Sequence, residues 1–410
     1  MIKKNKEDLA ALCTLELGKP YTESLVSVQY AVDFLDWFEG AIERTFGDTI
    51  PAARGNTRIF TIKQPQGVVA AITPWNSPLA MITRKAGAAI AAGNSVVCKP
   101  APETPLCALA LAKLFERAGG PSGVFNVVTC GAESTIAVGE ELCHNDLVKH
   151  LSFTGSTSVG KHLNIACAKS IKRISMELGG NAPFIVFADA NLDEAAQGLA
   201  TSKFRSSGQT CVCANRILVH ASIFDDFSEI LKKTIDRTFV YGSVWDRSVT
   251  FGPLYSLKGM SKAILHLEDA LSKGGRLVTD GPDATDMELG PNFLKPVIVK
   301  TGASWKSMKF MEEETFGPVA FLIGFDTEQE AIEIANQSSL GLAAYFYTQD
   351  ISRLWKTAEA LNVGMVGARV GLVSATEMPF GGIMESGIGR EGGIEALSEF
   401  LETKSITLGI

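Results

Sequence analysis

Short apolar runs that stop at proline or glycine, each followed by a stretch with helical spacing of its apolar residues, dominate the chain and leave few folds open to it. Gly67-Val-Val-Ala-Ala-Ile-Thr is continuously apolar, so it reads as a strand buried on both faces, and it ends in Pro74-Trp75-Asn76. Ile82 to Ala92 reads as a helix, Asn94-Ser-Val-Val-Cys-Lys as a strand stopped by Pro100, Thr104 to Ala118 as a helix and Val124 to Val128 as a strand. Leu151-Ser-Phe-Thr then enters Gly155-Ser156, and after Gly180 a second series follows: strand Ala182 to Phe187, helix Leu192 to Phe204, strand Ile217 to Val219. Strands joined through helices at this pace imply parallel, doubly wound sheets, hence an α/β fold. Such sheets take ligands beyond the carboxyl ends of their strands, which predicts that Pro74-Trp75-Asn76, Lys99 and Gly155-Ser156 converge on one crevice.

The flanks differ. Leu9 to Phe46 reads as mostly helical, with Trp37 and Phe38 in an amphipathic pattern, and Thr57 to Lys63 alternates with period two. The tail, Thr403 to Leu408, reads as an edge strand able to pair with another subunit. At 410 residues the chain is too long for one compact unit, so at least two domains are expected. A net charge of −7 and no basic, aromatic-interleaved run give no reason to bind nucleic acid or an anionic membrane. The start, Met1-Ile-Lys-Lys-Asn-Lys, has no apolar signal region, and the run Ala88 to Ala92 is far below the ~20 residues that span a bilayer. Eight cysteines at no framework spacing predict reduced thiols and a cytoplasmic protein. Five scattered histidines without Cys-x-x-Cys predict no metal site.

Some segments carry chemistry. Gly208-Gln-Thr-Cys211-Val-Cys213 puts a cysteine on a permissive turn after an apolar helix, where its thiolate could meet a substrate. Met176-Glu177-Leu-Gly-Gly-Asn sets a carboxylate among apolar and glycine residues, which should raise its pKa and poise it as a general base, unless it caps the Asn181 turn. The amide of Asn76 could donate to an oxyanion. Phe153-Thr-Gly155-Ser156-Thr-Ser-Val-Gly160 is a strand-to-helix turn whose free N–H groups could receive a pyrophosphate. Glu312-Glu-Glu314-Thr-Phe316 alone reads as a solvated acidic turn, and Pro379 to Gly392 as a glycine-rich backbone clamp.

Together these motifs resemble the aldehyde dehydrogenase superfamily from about Leu9 to the C-terminus, and within it the succinate-semialdehyde dehydrogenases. The stretches Met81-Ile-Thr-Arg84-Lys-Ala-Gly, Lys203-Phe-Arg205-Ser-Ser-Gly-Gln-Thr-Cys-Val-Cys-Ala-Asn-Arg216 and Gly341-Leu-Ala-Ala-Tyr-Phe-Tyr carry that finer likeness. The resemblance implies a Rossmann-type cofactor domain over residues 1–177 with a strand arm at about 54–66. It also implies a catalytic domain over 178–374, a return to the cofactor domain over 375–397 and an oligomerisation strand over 398–410. It makes Cys211 the nucleophile, Glu177 the base, and Asn76 with the Cys211 N–H the oxyanion hole. For NAD or NADP it implies Thr73, Pro74 and Trp75, Lys99 and Pro102 near the adenosine ribose, Gly155, Ser156 and Val159 near the pyrophosphate, and Leu178, Glu314 and Phe316 near the nicotinamide. Arg84, Arg205 and Ser374 would hold the far carboxylate of succinate semialdehyde, as in the GABA-degradation type of enzyme. Cys213 would form a reversible disulfide with Cys211, and the protein would be a homodimer or homotetramer.

The chain departs from that pattern in places. An additional N-terminal segment usual in the family is missing. Ser77 stands where Phe is usual after Trp-Asn, which would widen the substrate tunnel. Pro102 stands where Glu, Ser or Gly is common, so neither cofactor is repelled. Met384 stands where Lys is usual, and Arg369 where a segment with Asn is common, which is expected to bring a charge near the site. Other readings are a dehydrogenase of another semialdehyde or aliphatic aldehyde, or a non-catalytic structural member of the superfamily.

Overall fold

A computed structural model describes residues 1–279, 285–286 and 288–410. The strand Val68–Ile72 forms where the continuous apolar run predicts it, and alternation explains why both its faces are buried. Val69 and Ala71 pack with the helices Lys6–Leu17, Tyr21–Ile42 and Pro105–Arg117. Ala70 and Ile72 face the other way, with Leu163 and Ala166 of the helix Thr157–Ala168. The sheet has six strands in the order Gly387–Ile388, Arg173–Glu177, Val148–Thr154, Val68–Ile72, Ser95–Lys99, Phe125–Val127. All neighbours are parallel except the first pair. The chain leaves Val68–Ile72 for Ser95–Lys99 on one side, while Val148–Thr154 lies on the other, which makes the gap between them a topological switch point.

A second sheet of seven strands runs Arg276–Leu277, Val297–Lys300, Val319–Phe325, Ala214–His220, Ala182–Val186, Ala343–Tyr347, Met365–Ala368. The same two-sided logic holds in it: Phe184, Ile217, Leu322 and Tyr345 share one core, and Ile185, Leu218, Phe321 and Phe346 the other. Each such side chain, fully buried, contributes about 1.5–3 kcal/mol.

The helical reading of Leu9 to Phe46 is corrected by a break. Gly18 adopts φ 71° and closes the helix Lys6–Leu17 by donating to Thr14, and Pro20 then precedes Tyr21–Ile42. The helix placed at Ile82 begins earlier, at Pro78, and Thr83–Gly87 within it is a π turn. The tail pairs antiparallel with Thr57–Pro65 along Leu401–Gly409 and forms the edge of a three-stranded ribbon. Among the described residues no helix is long and apolar enough to cross a membrane. The site lies where the carboxyl ends of the first sheet face loops that precede strands of the second: Glu177 ends one strand, and Cys211 stands just ahead of Ala214–His220.

Candidate active site

The loop carrying Cys211 is bent by backbone that few side chains adopt. The apolar helix Leu192–Leu199 runs into the π turn Ala200–Phe204, and Ser206, Ser207 and Gly208 follow with φ of 51°, 54° and 77°. Arg205 therefore lies just past the helix rather than on it. The strained turn is pinned from several sides. Ser207 donates to the Gly252 carbonyl at 2.6 Å, the Gln209 amide donates to Ser206 and accepts from the Tyr255 N–H, and Tyr345 donates to the Val212 carbonyl at 2.9 Å. Asn76 donates from Nδ2 to the Gln209 carbonyl at 2.9 Å, which leaves its second N–H available. The Cys211 N–H makes no hydrogen bond to a described residue, so two donors stand beside one thiol.

Glu177 is 2 % exposed, and Arg84 holds its Oε2 at 3.2 Å while Oε1 has no partner. Burial raises its pKa and Arg84 opposes that rise. The alternative of a cap on the Asn181 turn is not seen, because Asn181 donates to Phe310 and Met311. Burial and the neighbouring Glu177 carboxylate push the Cys211 thiol well up, with Arg84 pulling it back. Arg84 and the next residue, Lys85, both also pair with Glu391, and the Arg84 guanidinium lies 4.3 Å from the centre of the Phe380 ring. The glycine-rich loop delivers Glu391 and clamps the strand beneath: Gly387 pairs with Glu177, the Ser386 carbonyl accepts from Leu178 N–H, and the Ser386 hydroxyl donates to Gly179.

Two cavities meet at the thiol. One of about 250 Å³ is lined by Pro74, Trp75, Thr154, Gly155, Ser156 and Leu178, with Glu314 and Phe316 opposite. Burial pushes Glu314 up to about 8. The other, about 260 Å³, is lined by Tyr30, Ser77, Arg84, Arg205, Ser374 and Phe380. Asn76, Met81 and Cys211 line both, so the Cys211 sulfur stands where the two spaces meet.

The chain matches a model of the aldehyde dehydrogenase family over residues 1–406. It belongs to that family. A succinate-semialdehyde dehydrogenase [NADP(+)] of Schizosaccharomyces pombe is 52% identical over 408 residues, covering 100% of this chain and 80% of the relative. A glutarate-semialdehyde dehydrogenase of Pseudomonas aeruginosa is 48% identical over 99% of this chain and 82% of its own length. The crystal structure of a succinate-semialdehyde dehydrogenase from Burkholderia pseudomallei superposes with TM-score 0.96 at 44% identity, covering 100% of this chain and 83% of that one.

As an aldehyde dehydrogenase, the protein presents a cavity that suits a nicotinamide dinucleotide. It opens at the N-terminus of Thr157–Ala168, where the N–H groups of Thr157 and Ser158 lack intrahelical acceptors, and the buried Thr154 hydroxyl has no partner among the described residues. Ser156 caps that helix by accepting from Val159 N–H, and Val159 itself is exposed. One expected donor is corrected: the Gly155 N–H already donates to the Glu177 carbonyl, the ladder bond that sets the turn. Lys99 is buried, 3 % exposed, and donates to the Pro100 carbonyl at 3.2 Å, so it is turned inward at the strand end, while Pro102 sits uncharged in the next turn.

On the other side, Arg84 lines the cavity as part of a buried ion cluster, its Nη2 on Glu177 and its Nε on Glu391. Arg205 makes no hydrogen bond or ion pair with a described residue and reaches the same cavity. Arg369 is also corrected. Its backbone is at φ 58°, its Nε donates to the Thr348 carbonyl at 2.6 Å, and it points to the surface. Met384 is half exposed at φ 53°, and nothing in the structure explains it. Cys213 is a free thiol, buried, bonded to the Thr210 hydroxyl at 2.9 Å, and Cys211 is likewise free. Sequence reasoning missed Lys85, Glu391 and Tyr30. The adjacent Arg84-Lys85 in an otherwise apolar helix is the one signal that could have found a buried ion cluster.

Proposed function

We propose that the protein oxidises succinate semialdehyde to succinate with NADP or NAD, through a thioester on Cys211. The observation that carries this reading is Arg205, a guanidinium without a partner among the described residues, in the cavity that reaches the Cys211 sulfur. An aldehyde with a carboxylate at its far end would compensate that charge, and Ser374 adds a hydroxyl on the same wall. The Cys211 thiolate attacks the aldehyde carbon, forming a C–S bond, and the carbonyl oxygen becomes an alkoxide facing the Cys211 N–H and Asn76 Nδ2. A bound nicotinamide dinucleotide supplies the acceptor for the hydride whose loss leaves a thioester. Glu177, with Oε1 free of described partners, takes a proton from water; the water oxygen adds to the acyl carbon, the C–S bond breaks, the Cys211 thiolate is regenerated, and the acid leaves and gives its proton to solvent.

Pro102 puts no charge at its own position, which supports use of NADP beside NAD. Ser77 leaves the cavity longer than a bulky residue would, so a semialdehyde one methylene longer is the second reading. Eight free thiols fit a reducing, cytoplasmic setting, and the open edge of Leu401–Gly409 fits a homodimer or homotetramer. The assay is cofactor reduction at varied aldehyde. Arg205→Ala should lower kcat/KM for succinate semialdehyde by about 10²-fold, the scale of a lost charge-assisted bond, and for hexanal by less than about threefold. Equal losses on both would remove the carboxylate reading.

A further inference from the structure

Tyr30 is a buried polar group without a use inside the protein. It projects from the helix Tyr21–Ile42 into the cavity that holds Arg205, Ser374 and Cys211. Its ring is held edge-on by Phe34, with centroids 4.8 Å apart. Its hydroxyl is shut off from solvent, and although the Arg84 guanidinium stands near the oxygen, the O–H finds no acceptor among the described residues. An unpaired buried hydroxyl is costly, so a site that keeps one gains when a ligand accepts from it. Burial pushes the phenol up, so it stays a donor throughout the working pH range, and the nearby Arg84 and Arg205 guanidinium groups favour an anion beside it. Two acids stand on the same wall, where Glu23 accepts from Ser206 and Asp33 from Gln29 at 2.7 Å, and the Tyr30 hydroxyl bonds to neither. Arg84 is shared between Glu177 and Glu391. Among the described residues of the cavity, the Tyr30, Ser77 and Ser374 hydroxyls and the Arg205 guanidinium donate to no protein group.

We propose that Tyr30 is a specificity-determining residue whose hydroxyl donates to the far carboxylate of the substrate, alongside Arg205. This deepens the proposed function and rests on its reading of the substrate as a carboxylate-bearing semialdehyde.

The test is Tyr30→Phe, which keeps the ring on Phe34 and removes only the hydroxyl. The KM for succinate semialdehyde should rise about 10-fold, with kcat within about twofold and hexanal kinetics within about twofold. Because the O–H donates to no described residue, the apparent Tm should not fall. Inhibition by succinate against hexanal as substrate gives a second readout, with the inhibition constant rising about 10-fold in the variant. An unchanged succinate inhibition constant, or equal losses on both aldehydes with a lower Tm, overturns the inference. Wild-type enzyme that does not prefer succinate semialdehyde to hexanal overturns the substrate reading instead. The succinate constant tells the two failures apart, because it measures carboxylate capture whichever aldehyde is preferred.

Discussion

Cys211 and Glu177 hold each other in check. A buried carboxylate beside a thiol disfavours the thiolate, so the proposed base also suppresses the proposed nucleophile. Arg84, held against Glu177 at 3.2 Å, works against that suppression. Glu177→Gln removes the negative neighbour and leaves Arg84 in place. The sign follows: the Cys211 pKa falls, so the pH midpoint for its alkylation by iodoacetamide should move down and alkylation at neutral pH should quicken. Mass spectrometry of the Cys211 peptide reads this without interference from other thiols. Steady-state turnover in the same variant should drop by about 10²–10⁴-fold while a single-turnover burst of reduced cofactor persists, as expected when only deacylation lacks its base. An alkylation midpoint that stays or rises would mean that Glu177 acts on the thiol mainly as a proton acceptor.

At the scale of the element, the decisive piece is the turn from Ser206 to Gly208. Three consecutive left-handed residues reverse the chain between the π turn and the strand Ala214–His220, and they aim Cys211 at the junction of the two cavities. Gly208 has two reasons to be glycine. Its φ is 77°, and a Cβ there would stand 2.4 Å from the Gly317 carbonyl oxygen, which belongs to backbone and cannot swing aside. Gly317 follows the Glu314-Thr315-Phe316 segment on the cofactor side, so a displacement at Gly208 reaches both cavities. Gly208→Ala should therefore cost at least about 10²-fold in kcat, the penalty for misplacing a reacting atom by about 1 Å, with chain expression retained. Near-normal kcat in that variant would show that the turn can relax without moving the thiol. Continuous apolar runs made the strands on either side legible in the sequence; the turn was legible only as "permissive", because the strain is set by contacts with Gly252, Tyr255 and Tyr345 far along the chain.

For the whole molecule, the ribbon formed by Thr57–Pro65 and Leu401–Gly409 stands apart from both large sheets and is paired along nine residues. Leu401–Gly409 has one neighbour, so its other edge offers unpaired backbone groups to another copy. A chain ending at Phe400 should sediment as a monomer, and the full chain as the proposed dimer or tetramer; an unchanged oligomer would place the interface elsewhere. The sequence by itself determined the doubly wound α/β architecture, because continuous apolar runs and helical periods leave no other way to bury both sheet faces. It also marked the nucleophile, base and amide as candidates, because each sits at a strand end or glycine turn that local chemistry singles out. Tertiary structure alone decided which charges are free. Arg84 and Arg205 look alike in the sequence, yet Glu391, brought back by the glycine-rich loop, compensates the first and leaves the second to a ligand. Arg369 was turned out to the Thr348 carbonyl, and Tyr30 was turned in with no acceptor for its O–H among the described residues. Such outcomes depend on which distant segment arrives beside a side chain, and spacing along one chain carries no record of that.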